Sequence, residues 1–142
     1  MVQRFKQSGK EQMILLILSD FDPDGEEIAA SFPRSLRDDF ELTNVIAHKV
    51  AISGDDVREH NLPCDMQAKK SSKNYKKFIE KHGIYVAELD AAPVELLQNK
   101  LRDAIENCLD MEIFREELAK EKEDYAFITA TKKAVVKAMR AK

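Results

Sequence analysis

Met13-Ile14-Leu15-Leu16-Ile17-Leu18 is an unbroken apolar run that stops at Ser19-Asp20. It is far too short to span a bilayer. A short, uniformly apolar run of this kind reads as a buried strand of a parallel sheet. The chain must therefore supply a second strand and a crossover, and it must do something with the acidic turn that follows, Asp20-Phe21-Asp22-Pro23-Asp24-Gly25.

The remaining pattern supplies both. Residues 1–10 read as a polar helix ending at Gly9. After the turn a helix begins, with Asp24 as N-cap and Glu27 completing a capping box. Ile28, Ala29, Phe32 and Leu36 lie at helical spacing, and Pro33 is expected to divide the helix in two. Residues 43–52 read as a second strand, and Ser53-Gly54-Asp55-Asp56 as a turn into a short helix carrying Val57. Residues 61–73 show no period. Residues 75–82 form a short helix closed by Gly83, and residues 84–89 a third strand. Pro93 opens an amphipathic helix with Leu97, Leu101, Ala104, Ile105 and Cys108 on one stripe. From Met111 the pattern stays helical, with Phe114, Leu118, Tyr125, Ile128, Val135, Val136 and Met139 as candidate buried positions on more than one face. The expected fold is α/β, a parallel sheet with flanking helices and a helical C-terminal third. The expected domains are 1–110 and 111–142.

The 142 residues are enough for one domain with a core. A net charge of −3 argues against coating nucleic acid by bulk charge, but not against a local basic patch. Cys64 and Cys108 lack CxxC spacing, so reduced thiols are expected rather than a disulfide scaffold or zinc. With no signal-peptide core at the N-terminus, the expected location is cytoplasmic.

In parallel α/β sheets the functional crevice lies beyond the carboxyl ends of the strands. The expected strand ends carry Asp20 and Asp22, Ser53 and Asp55, and Glu88 and Asp90. Alternate aspartates delivered by an apolar strand suit a hard divalent cation, which takes one or two carboxylates plus water and phosphate oxygens. The bland alternative is a strand end with solvated aspartates, one of them capping a helix. Asp20, Asp22 and Asp24 are the candidate ligands for Mg2+ or Mn2+. Glu88 and Asp90 either complete that acidic site or simply precede the next helix. An EF-hand loop is rejected, because Ser31 stands where its bidentate Glu belongs and an apolar strand precedes the turn. Lys69, Lys70, Lys73, Lys76, Lys77 and Lys81, with Tyr75 interleaved, form either a phosphate-tracking surface or a solvated helix face. Lys132, Lys133, Lys137, Arg140 and Lys142 form a second basic cluster, read as cations near a helix C-terminus. His48, His60 and His82 have no ligand spacing.

The stretch Ile17-Leu18-Ser19-Asp20-Phe21-Asp22-Pro23-Asp24-Gly25-Glu26-Glu27-Ile28-Ala29 resembles the Asp-x-Asp motif of the Toprim domain, found in topoisomerases, bacterial primases and certain nucleases. Pro-x-Gly after the second Asp resembles the A subunit of archaeal type IIB topoisomerases, whereas the third Asp followed by Gly looks more like the type IIA enzymes and gyrase. Tyr85-Val86-Ala87-Glu88-Leu89-Asp90-Ala91-Ala92-Pro93 resembles stretches of Toprim-bearing proteins of that kind. The resemblance covers roughly residues 12–92. It implies magnesium on Asp20 and Asp22, with Asp24 as a third ligand or outer group, and phosphoryl transfer on DNA. Toprim domains also carry a Glu at the end of an earlier strand, and none is evident here; Glu11 precedes the same strand at its other end. The expectation is a piece of a longer topoisomerase- or nuclease-type protein, or a non-catalytic domain for assembly or DNA binding. Its partners would be DNA and either other domains of a parent protein or a second copy. None of Tyr75, Tyr85 and Tyr125 has the context of a nucleophile. A haloacid-dehalogenase-like phosphohydrolase also places Asp-x-Asp after an apolar strand, but wants Thr or Val where Asp24 stands.

Overall fold

The computed structural model describes residues 1–140. Lys142 of the C-terminal basic cluster lies outside them. The chain divides into two compact units, Met1–Ile105 and the segment from Glu106 onward. The division falls just before the loop that leads into the last helix, a few residues ahead of the expected boundary at 110.

In the first unit, helix α1 (Val2–Ser8) ends on Gly9 at φ 67°, a left-handed cap that glycine adopts without steric cost. Strand β1 (Met13–Leu18) follows and pairs in parallel with β2 (Val45–Ala51), from Met13 opposite Val45 to Leu18 opposite Ala51. Helix α2 (Pro23–Phe40) makes the crossover and packs against β2. This β1–α2–β2 unit is the parallel core that the apolar run demanded.

Burial is less complete than a central parallel strand would have. Met13, Leu36 and Leu42 form a core with Val2, Phe5, Leu15 and Val45, so α1 and α2 cover the odd-numbered face of β1. Side chains alternate across a sheet, and on the opposite face Ile14 and its register partner Ile46 are exposed. β1 is half-buried because helices cover one face of the two-stranded sheet.

Helix α3 (Gly54–Glu59) is capped reciprocally by Ser53 and Asp56. The segment expected to be irregular contains a short strand, β3 (Met66–Gln67), antiparallel to β4 (Tyr85–Val86). The expected third strand is thus shortened and does not join the parallel pair as a parallel neighbour. Its continuation, Ala87, instead bridges Phe21 in antiparallel sense, with Phe21 N donating to Ala87 O at 2.8 Å and Ala87 N to Phe21 O at 3.1 Å. Leu89–Ala91 then turn as a short 3-10 helix, because the chain must reverse into Pro93 and α5 (Val94–Glu106). Helix α4 (Tyr75–His82) ends at Gly83 as the sequence indicates and packs against α2.

Two details of α2 differ from what the sequence suggests. The N-cap is Asp22, not Asp24: Asp22 has extended backbone, its carboxylate accepts from Gly25 N at 2.6 Å, and Pro23 takes the first helical position. Proline's fixed φ suits that position, where its missing N–H costs nothing. Glu27 therefore closes no capping box. Pro33 does not divide the helix. Both ends are held, by buried Pro23 and Gly25 and by buried Leu36, while the Arg34 guanidinium donates to the Ala30 carbonyl beside the proline. Packing at both ends outweighs the one lost backbone bond.

The second unit is dominated by helix α6 (Met111–Arg140), entered through Asp110, whose carboxylate accepts from Glu112 N and Ile113 N. No residue of α6 is buried. Among the described residues no helix is long and apolar enough to cross a membrane.

Candidate functional site

Phe21 organises the acidic turn. It is buried in the main core with Ile52, Phe78, Val86 and Ala87. Its ring lies 5.2 Å from that of Phe78 and 5.1 Å from the imidazole of His82. Successive side chains on extended backbone point to opposite sides, so burial of Phe21 turns Asp20 and Asp22 together toward the other side. Asp20 is exposed and Asp22 half-buried.

Each aspartate has a partner. Asp20 Oδ1 accepts from Leu89 N at 2.7 Å, Asp22 Oδ1 from Gly25 N at 2.6 Å, and Asp24 Oδ1 from Ser72 Oγ at 2.7 Å. The second carboxylate oxygen of each carries no hydrogen bond among the described residues. Gly25 is dictated by how closely the chain returns on itself: a Cβ there would sit 2.2 Å from the Asp20 carbonyl oxygen.

These bonds gather three sequence regions. Leu89 brings the Glu88–Asp90 strand end to Asp20. Ser72 ties the loop carrying Lys69, Lys70 and Lys73 to Asp24. On α4, Lys77 pairs with Glu27 at 3.0 Å. The hydrogen bond and charge of Lys77, with help from Arg34, hold the Glu27 carboxyl below its ordinary value. Lys69, Lys70, Lys73, Lys76 and Lys81 are exposed and form no ion pair among the described residues. A small cavity of about 130 Å³ lies between α2 and α4, lined by Pro23, Glu26, Ala30, Lys77, Lys81 and His82 among others.

Three further residues take part that the sequence did not place at the site. Lys49, near the end of β2, donates to the Asp20 carbonyl at 3.0 Å and to Glu26 Oε1 at 2.6 Å. A lysine in a mostly apolar strand, close to its carboxyl end, is the signal that could have found it. Glu26 also faces His82 Nε2 at 3.7 Å. Burial is the largest influence on His82 and keeps its imidazole below the ordinary histidine value, although Glu26 pulls the other way.

The residues fit a divalent cation in part. Alternation sets Asp20 and Asp22 opposite Phe21, and each keeps one carboxylate oxygen without a hydrogen bond among the described residues; magnesium takes one or two carboxylates together with water and phosphate oxygens. Asp24 is drawn toward Ser72. Among the described residues no group of three His, Cys, Asp or Glu side chains comes together as a ready-made cation cage. Comparison with protein-family models, with curated proteins and with solved structures finds no match to this chain.

Proposed function

We propose that the chain is a Toprim-like domain of a DNA-processing protein, holding Mg2+ or Mn2+ through Asp20 and Asp22 beside a lysine-rich phosphate-binding surface. The observation that carries this reading is the tie between Ser72 and Asp24, which brings the exposed lysine loop to the edge of the acidic turn. Carboxylates alone would repel a phosphodiester and lysines alone would bind it without placing a cation. Their juxtaposition suits a phosphate bridging both.

A bound cation would supply charge neutralisation on the phosphate oxygens. Asp20 and Asp22 would hold it, and Asp22 would keep its second task as the cap of α2. Lys69, Lys70, Lys73, Lys76 and Lys81 would track the backbone. Lys49 braces the turn from below through the Asp20 carbonyl and Glu26. No tyrosine or third carboxylate is assigned a role in strand scission.

The test is a gel-shift titration at stepped salt beside a supercoiled-plasmid assay in magnesium. Binding is expected to weaken steeply with salt. Lys73→Ala/Lys76→Ala/Lys81→Ala is expected to reduce the logarithmic salt slope by up to about one for each phosphate that is no longer neutralised. No relaxation or cleavage above background is expected from this chain. DNA binding that ignores the lysine changes would remove the basic surface from the account. Cleavage that disappears in Asp20→Asn/Asp22→Asn would make the chain a complete nuclease.

A further inference from the structure

Helix α6 carries a pattern that the proposed metal and DNA site does not use. Phe114, Leu118, Tyr125, Ile128, Val135 and Met139 fall on alternating spacings of four and three residues, the seam of a two-helix coiled coil. Two positions of that seam hold charge instead, Glu121 and Lys132. The seam is uncovered: Tyr125 is 73% exposed, Ile128 63% and Met139 74%.

Charge divides the helix at its middle. Met111–Asp124 holds six carboxylates against three cations, whereas Tyr125–Arg140 holds four cations and no carboxylate. A parallel pair of such helices would set Glu121 against Glu121 and Lys132 against Lys132 in the seam, and would lay each half on its like. Like charges brought together at an interface work against association.

An antiparallel pair removes both conflicts. With a two-fold axis between Ala126 and Phe127, Phe114 faces Met139 of the second copy, Leu118 faces Val135, and Tyr125 faces Ile128. Glu121 then faces Lys132. Because a two-fold interface repeats every contact, one register matches all eight seam positions at once. The acidic half of each helix also lies along the basic half of the other. We propose that α6 is a self-association element that pairs antiparallel with α6 of a second copy of this chain, with Glu121–Lys132 fixing direction and register.

The experiment uses the full chain in analytical ultracentrifugation over a wide concentration range, with circular dichroism to confirm helix content. The wild type is expected to dimerise. Glu121→Lys and Lys132→Glu alone, each of which places like charges opposite one another in two layers, are expected to weaken the dimer at least about tenfold. The double variant Glu121→Lys/Lys132→Glu restores opposite charges across the same layers and is expected to regain most of the wild-type affinity. Orientation is read by oxidative cross-linking in a Cys64→Ser/Cys108→Ser background. Leu118→Cys chains mixed with Val135→Cys chains should cross-link to each other in preference to themselves. A wild type that stays monomeric at all concentrations would overturn the proposal. So would a double variant no better than the singles, or Leu118→Cys linking chiefly to itself.

Discussion

The carboxylate of Asp20 accepts a hydrogen bond from the backbone N–H of Leu89 at 2.7 Å, across 69 positions of sequence. That bond fastens the end of the first strand to the chain reversal after the last one. The acidic turn is thereby held between two strand ends instead of standing free as a loop. A carboxylate so engaged has its position fixed through one oxygen, while the other carries no hydrogen bond among the described residues.

Close approach at this point makes Gly25 the most sensitive residue of the turn. Gly25→Ala would drive a methyl group to 2.2 Å from the Asp20 carbonyl oxygen, a backbone atom that cannot swing aside. The variant is expected to lose about 1–3 kcal/mol, the range typical of overpacking, in a urea or thermal melt. Unchanged stability would mean that α2 does not start at Pro23.

Acid should destabilise the first unit in two stages. Burial against Phe21 and Phe78 lowers the His82 pKa below its ordinary 6.5. The unfolded chain therefore takes up its proton first, and stability falls as pH drops through about 6.5, levelling off below the folded value. Asp56 acts in the same direction at lower pH. Its burial would raise the carboxyl, but the bonds from Lys100 and Ser53 outweigh that and leave it below the ordinary 3.8. Its contribution is complete above about 3.8 and is lost as pH falls through the lower folded value. Melting temperature against pH should show both limbs. His82→Phe, which keeps a ring against Phe21, should flatten the upper one, and Asp56→Asn the lower. A single limb near pH 4 in the wild type would contradict the His82 assignment.

Much of this arrangement is legible in the sequence, and the differences share a cause. β1, α4 and the cap at Gly9 follow from short-range chemistry: an apolar run, helical spacing, a glycine with positive φ. The neighbourhood of the acidic turn depends on long-range pairing. Ser72 looks like any loop serine until it meets Asp24, and Lys49 like any strand lysine until it meets Glu26. The sequence points to Asp24 as the cap because Glu27 imitates a capping box, but Pro23 is better placed at the first helical position, which moves the cap to Asp22. Residues 84–89 look like one ladder because they are mostly apolar, yet only Tyr85 and Val86 pair with β3 and Ala87 crosses to Phe21.

The proposed divalent cation on Asp20 and Asp22 is tested most directly by isothermal calorimetry with Mg2+ and Mn2+. The comparison is Asp20→Asn/Asp22→Asn. Asparagine caps a helix about as well as aspartate, so α2 should keep its start while the charge is lost. The wild type is expected to bind with a Kd on the order of millimolar for Mg2+, because two carboxylates leave most positions to water, and its melting temperature should rise with metal concentration. The asparagine variant should fold with the same helix content and show neither heat nor shift. Equal heats and equal melting shifts for the two proteins would contradict the account.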